Sequence, residues 1–209
     1  NSQIVNNDLC QDLSPVDWLS TKLSNYKKNW VADSTWLVSR YLSNKAGPWN
    51  TSLIRDNDGE YFCRVVSNCT KVIFVKEAIS YYRVGIPTSI SQAKSVNAMK
   101  SLIASSKLCI EHLLSIENSA KTRQSCTRLL EQQLYKCYPE HPHLVETIHG
   151  IAQKLGEIRI EPSESKKFKL LRRIVGWKNA KALKNMVWNY KKSIDWHIAK
   201  FRHFARAKM

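Results

Sequence analysis

The rhythm of apolar positions along the chain changes near Pro87. Before it, short helical and strand-like stretches alternate; after it, the periodicity is helical. Ser14-Pro15 reads as a cap and first turn for a helix over Val16 to Leu23. Ser34-Thr35-Trp36-Leu37-Val38 is rich in strand formers. Arg40 to Ala46 reads as a short helix stopped by Gly47-Pro48, because glycine takes a left-handed cap and proline cannot continue the helix. A loop then covers Trp49 to Arg55. Asp56 or Asn57 caps a helix over Asp58 to Val66, whose first turn carries Asp58 and Glu60, acids suited to the positive end of its dipole. Val72 to Val75 and Ile79 to Arg83 follow as strand-like segments separated by Lys76-Glu77-Ala78. The pattern predicts an α/β class, too short for a complete α/β domain.

Beyond Pro87, Ser89 or Ser91 can start a helix running through Met99, Leu102, Ile103, Ile110 and Leu113-Leu114. Further helices fit Thr122 to Tyr135 and His143 to Leu155. The last segment is the most periodic: Leu183, Val187, Tyr190, Ile194, Ile198 and Phe201 recur at steps of four and three and share one helical face. The expected division is residues 1–90, mixed α/β; 91–162, helical; and 163–209, a basic amphipathic tail.

Charge sharpens that division. The 209 residues hold 33 Lys plus Arg against 17 Asp plus Glu, a net +16, which favours anionic partners. Residues 163–209 carry fourteen Lys or Arg against Glu164 and Asp195, so the tail alone holds +12. Hydrophobic residues at 43% with six Gly and six Pro exclude a linker or low-complexity chain. Apolar runs such as Val72 to Val75 span four residues, whereas a membrane-crossing helix needs about 20. No charged n-region followed by an apolar h-region stands at the start, so a cytoplasmic location is expected. Cys10, Cys63, Cys69, Cys109, Cys126 and Cys137 form no CxxC pair and no His-containing metal spacing; reduced, mostly buried thiols are the expectation.

One constellation carries chemistry. Lys45-Ala46-Gly47-Pro48-Trp49-Asn50-Thr51-Ser52-Leu53, followed by Asp56-Asn57-Asp58-Gly59-Glu60-Tyr61-Phe62-Cys63-Arg64-Val65, resembles the acceptor-side half of family 2 glycosyltransferases. Ser34 to Val38 is similar to that family's Trp-Leu strand, and Ile73-Phe74-Val75 with Ser80-Tyr81-Tyr82-Arg83 to its closing strand pair. The resemblance covers about residues 14–90. It implies part of a GT-A fold, a Rossmann-like mixed sheet, followed by an all-helical C-terminal region. It also implies sugar transfer from a nucleotide-sugar donor to a glycan or lipid-linked acceptor, by an inverting displacement, in surface polysaccharide synthesis. The nucleotide-binding half, with the DXD carboxylates that hold Mg2+ or Mn2+, has no counterpart in these residues. The chain is therefore expected to be an incomplete portion, inactive alone, with no metal ligands of its own.

Transfer to a hydroxyl needs a carboxylate to take its proton. Asp58 matches the catalytic Asp of the resembling motif; its bland alternative is an ordinary helix-capping acid. Asp56 has the same alternative. Asn57 completes the pair before Gly59 and is expected, with Trp49 and Glu60, on the acceptor. Glu60 either contacts the acceptor or simply suits the helix dipole. Trp49 and Trp36 can each stack on a sugar ring or pack the core or a turn, and packing is the favoured reading for Trp36. Arg83 is a weak candidate for donor phosphates. Arg64, six positions after Asp58, reads as structural, and His112 stands in no motif.

The tail, with Trp177, Lys184, Trp188, Lys191, Lys192 and Trp196, fits a helix lying on anionic lipid at the inner membrane face, or a packed helix with a solvated basic side. The rival to the enzyme reading is a non-enzymatic basic helical module that binds anionic membrane or nucleic acid. No RNP, KH, zinc-finger or Gly-rich RNA-binding pattern is present, which disfavours nucleic acid.

Overall fold

A computed structural model describes residues 6–82, 95–156, 170–187 and 190. The chain forms two compact units, the first comprising Asn1–Cys137 with His141–Ile160, the second Tyr138–Glu140 with Glu161–Met209.

The first unit is built from helices α1 (Pro15–Ser24), α2 (Arg40–Ala46), α3 (Asn57–Ser67), α4 (Val96–Ile116), α5 (Ala120–Cys137) and α6 (Pro142–Ala152). Their starts follow local chemistry. Ser14 caps α1 by accepting the Asp17 N–H, with Pro15 in the first turn, and Ser39 and Ser95 cap α2 and α4 by accepting the N–H groups of Leu42 and Ala98. Gly47, at φ 79, ends α2 as its sequence requires.

One core crosses residue 90. α5 packs against α1, α4 and α6, and α3 against α4 and α1. Leu19 and Leu23 of α1, Leu113 of α4, Leu129, Leu130 and Leu134 of α5 and Ile148 of α6 are almost wholly withdrawn from water. A smaller cluster of Ala46, Tyr61 and Val65, backed by Val38, Leu42 and Phe62, seats α2 on α3.

The α/β expectation, with its GT-A mixed-sheet portion, is overturned: among the described residues the regular elements are helical, and β pairing is confined to one antiparallel bridge, Leu13 with Val72. Ser34 to Val38 holds a 3-10 turn at Asp33–Thr35, after which Trp36 turns its ring onto Phe62. The strand-like residues Ile73, Val75, Ile79 and Tyr81 stay 55% to 84% exposed. β propensity reports how well a side chain suits a pleated, half-buried surface. With no neighbouring strands among the described residues to supply that surface, these residues have no ladder there to join.

In the second unit, residues 170–187 are helical, interrupted in backbone geometry by Gly176 at φ 75. Tyr138 packs edge-on against Trp177 at 5.3 Å, and Asn185 donates to Glu140 at 2.7 Å. No helix among the described residues is long and apolar enough to cross a membrane. All six cysteines are free thiols, and Cys63, Cys109, Cys126 and Cys137 are buried; burial pushes the Cys126 thiol up to about 12.

Candidate functional site

The start of α3 is an unusual helix beginning. Asp56 occupies the capping position in the left-handed region, φ 61 and ψ 28, and its carboxylate makes no capping bond. Such a backbone costs about 1–3 kcal/mol and persists only when its surroundings enforce it. Two neighbours do so. The Tyr26 hydroxyl, in the stretch after α1, donates to Asp56 and lies 3.0 Å from both carboxylate oxygens. The Ser105 hydroxyl of α4 lies 2.7 Å from Oδ2 and 2.9 Å from the Asp56 carbonyl. Burial raises the Asp56 carboxyl above its ordinary value, against the opposing pull of these hydroxyls and of the Lys22 charge. Burial and the adjacent Asp56 also hold the Tyr26 hydroxyl in its protonated, donating form.

Gly59 makes the arrangement possible. A Cβ there would fall onto the Tyr26 hydroxyl and within 2.6 Å of Asp56 Oδ1. The same glycine's carbonyl accepts from the buried Cys109 thiol of α4 at 3.8 Å. One residue before Asp56, the Arg55 backbone is pinned at both polar groups by the Ser101 hydroxyl, at 3.0 Å and 2.9 Å. Ser101 and Ser105 stand one helical turn apart on the buried face of α4.

A cleft of about 160 Å3 opens beside this junction. Asp58, Asp56 and Gly59 line it, with Trp18, Trp36 and Phe62 as an aromatic wall. Asp58 is partly exposed, and its carboxylate accepts no hydrogen bond and forms no ion pair among the described residues; its backbone N–H is engaged by Asn57 Oδ1 at 3.0 Å. Lys22, Arg55 and Lys136 enter the same cleft from α1, the loop before α3, and α5.

The other expected site residues fall elsewhere. Glu60 is 2% exposed and does not line the cleft. Arg64 grips it through Nε at 2.8 Å, while His112 Nε2 lies 3.0 Å away. Burial works to raise the Glu60 carboxyl, but these two partners outweigh it and hold the group below the usual carboxylate range. Arg64 also donates to the carbonyls of Ala46 and Pro48, tying α3 to the end of α2, which matches its structural reading. Trp49 lies outside the cleft, stacked on Tyr61 at 4.4 Å with its rings nearly parallel. Asn57 is exposed and also off the cleft wall. Trp36 packs against the main core, bridging Trp18 and Phe62, and its ring also forms part of the cleft wall. Arg83, Trp188, Lys191, Lys192 and Trp196 lie outside the described residues. Trp177 is engaged with Tyr138, and Lys184 is exposed.

Tyr26, Ser101, Ser105, Lys22, Arg55 and Lys136 escaped the sequence reading. The available signal was the pair of serines four apart within the apolar face of α4, since a small hydroxyl on a buried face needs a partner. Among the described residues no three His, Cys, Asp or Glu side chains stand together as a metal site. Compared with known proteins, the chain matches no family model, no curated protein and no solved structure.

Two outcomes follow for the α3 start. Gly59→Ala is expected to cost about 1–3 kcal/mol through overpacking. In a Tyr26→Phe background the cost should shrink by about 1 kcal/mol, because the clashing hydroxyl is gone; urea unfolding of the four variants measures this, and strictly additive costs would refute the contact. Glu60 adds stability that is complete above roughly pH 4.3 and drains away as pH falls through its lower folded value. Glu60→Gln should therefore flatten the acid limb of stability against pH; an unaltered limb would show that the Arg64 and His112 contacts contribute nothing.

Proposed function

We propose that this chain is the acceptor-side portion of a glycosyltransferase that moves a sugar from a nucleotide-sugar donor to a hydroxyl of a glycan or lipid-linked acceptor. The observation that carries the reading is the division of labour among three neighbouring acids. Asp56 is engaged by Tyr26 and Ser105, and Glu60 by Arg64 and His112, while the Asp58 carboxylate stays unengaged among the described residues and opens to the cleft. A general base needs that freedom to reach the proton it takes. The aromatic wall suits the apolar face of a pyranose.

In this reading the acceptor O–H gives its proton to Asp58 as the oxygen attacks the anomeric carbon. The new C–O bond forms as the bond to the donor's diphosphate breaks, and the nucleoside diphosphate leaves with the electron pair. A single displacement of this kind inverts the anomeric centre. The divalent cation expected for the complete enzyme, Mg2+ or Mn2+, is in this reading held by the nucleotide-binding half.

The basic tail supports a peripheral place on the cytoplasmic membrane face. Leu183, Val187 and Tyr190 are 43%, 68% and 72% exposed, with Lys184 exposed beside them. Apolar side chains that insert and cations that meet anionic headgroups are the two components of interfacial binding, at about 1 kcal/mol per basic residue. The same features favour the rival reading, a non-enzymatic basic module on an anionic membrane; it predicts membrane binding without any transfer.

In the complete enzyme, Asp58→Asn is expected to reduce transfer by about 10²–10⁴-fold while donor binding stays unchanged. Undiminished turnover would remove Asp58 as the base. For the tail, the chain should float with vesicles containing phosphatidylglycerol and stay behind with neutral phosphatidylcholine vesicles; equal behaviour in both would end the membrane assignment.

A further inference from the structure

The cleft beside Asp58 is too small to hold an acceptor whole. At about 160 Å3 it falls below the roughly 300–1,000 Å3 of pockets that enclose a ligand. Only the reacting end of an acceptor enters, and the remainder needs a surface outside. Such a surface begins at the cleft itself. Trp30 lines the cleft, and Tyr82, which does not, packs edge-on against it with ring centroids 4.7 Å apart and ring planes at 69°. Two residues before Tyr82, the Ser80 hydroxyl stands 2.8 Å from that of Ser34, so residues 80 and 82 are both held to the 30–34 stretch. The contact does not cover either ring: Trp30 stays 39% exposed and Tyr82 47%. Paired aromatic rings left in water at the edge of a cleft are suited to a ligand that extends out of it.

Resting on the general-base reading of Asp58 given above, we infer that the acceptor is a glycan chain of several sugars: its terminal hydroxyl reaches Asp58 in the cleft, and a preceding sugar ring lies in the corner formed by Trp30 and Tyr82. A pyranose has an apolar face of C–H groups and a rim of hydroxyls. The two rings, set at 69°, offer that face an aromatic plane on each of two sides. The Ser34 and Ser80 hydroxyls are exposed, and each keeps hydrogen-bonding capacity beyond their mutual contact. A sugar's hydroxyls can use that capacity, whereas a hydrocarbon tail cannot. The polar pair next to the aromatic pair therefore favours a saccharide over an alkyl chain on this surface.

Isothermal titration calorimetry on the full chain tests this without any need for turnover. The probes are the hexasaccharides of cellulose, chitin and hyaluronan, each beside its own disaccharide, with octyl glucoside as the alkyl-tailed rival. At least one hexasaccharide is expected to bind about tenfold more tightly than its disaccharide, and more tightly than octyl glucoside. Tyr82→Leu, which keeps an apolar side chain but no flat ring, should erase most of that length advantage, and Tyr82→Phe should retain it. Tyr41→Ala, at an exposed ring of α2 off the cleft wall, should leave it unchanged. Equal binding of every hexasaccharide and its disaccharide, no binding by any of them, a preference for octyl glucoside, or a full length advantage in Tyr82→Leu would overturn the inference. Asp58→Asn should keep the length advantage. If it does so while the complete enzyme retains turnover with that change, the general-base reading fails and the glycan surface stands. If the length advantage is missing while Asp58→Asn abolishes transfer, the glycan surface fails and the general base stands.

Discussion

A carboxylate turned inward holds this fold's central junction. Asp56 begins α3 yet does not cap it; its side chain instead reaches the Tyr26 hydroxyl after α1 and the Ser105 hydroxyl in the middle of α4. Withdrawing a carboxylate from water is unfavourable, so both hydroxyls are needed to satisfy it. The resulting tether fixes three elements at one point and forces the left-handed backbone at Asp56. Gly59 is its necessary complement, because any side chain there would occupy the space of the Tyr26–Asp56 contact. The direction of α3, and with it the place of Asp58, depends on that contact.

Around the junction, polar and aromatic contacts sort the neighbouring side chains into separate roles. Glu60 faces the Arg64 and His112 side of α3, where the same Arg64 grips the end of α2. Aromatic rings run in sequence from Trp18 to Trp36, Phe62, Tyr61 and Trp49, each in edge or stacked contact with the next. The first three rings border the cleft, while the last two cover the α2–α3 turn. An acid and an aromatic that looked equivalent in the motif therefore do different work according to the side of α3 they occupy.

The strand-forming segments show the limits of local preference. Ile73, Val75, Ile79 and Tyr81 carry β-favouring side chains but have no sheet to enter among the described residues, and they remain exposed. The single Leu13–Val72 bridge is as far as pairing goes among the described residues. A helix closes its hydrogen bonds within its own segment, whereas a strand must borrow them from elsewhere in space. Helices were accordingly readable from periodicity and caps, and strands were not.

What the sequence determined by itself was therefore local: the α1 start at Ser14-Pro15, the α2 span and its stop at Gly47, the apolar faces of α4, α5 and α6, and the presence of an acid at the opening of α3, whereas the cap of α4, expected at Ser89 or Ser91, falls at Ser95. These follow from interactions within a few residues. Tertiary structure alone decided which acid stays free. Tyr26 and Ser105 lie 30 and 49 residues from Asp56, and His112 lies 52 from Glu60. Packing brings those partners in, and Asp58 is left open because its side chain faces the cleft, away from them.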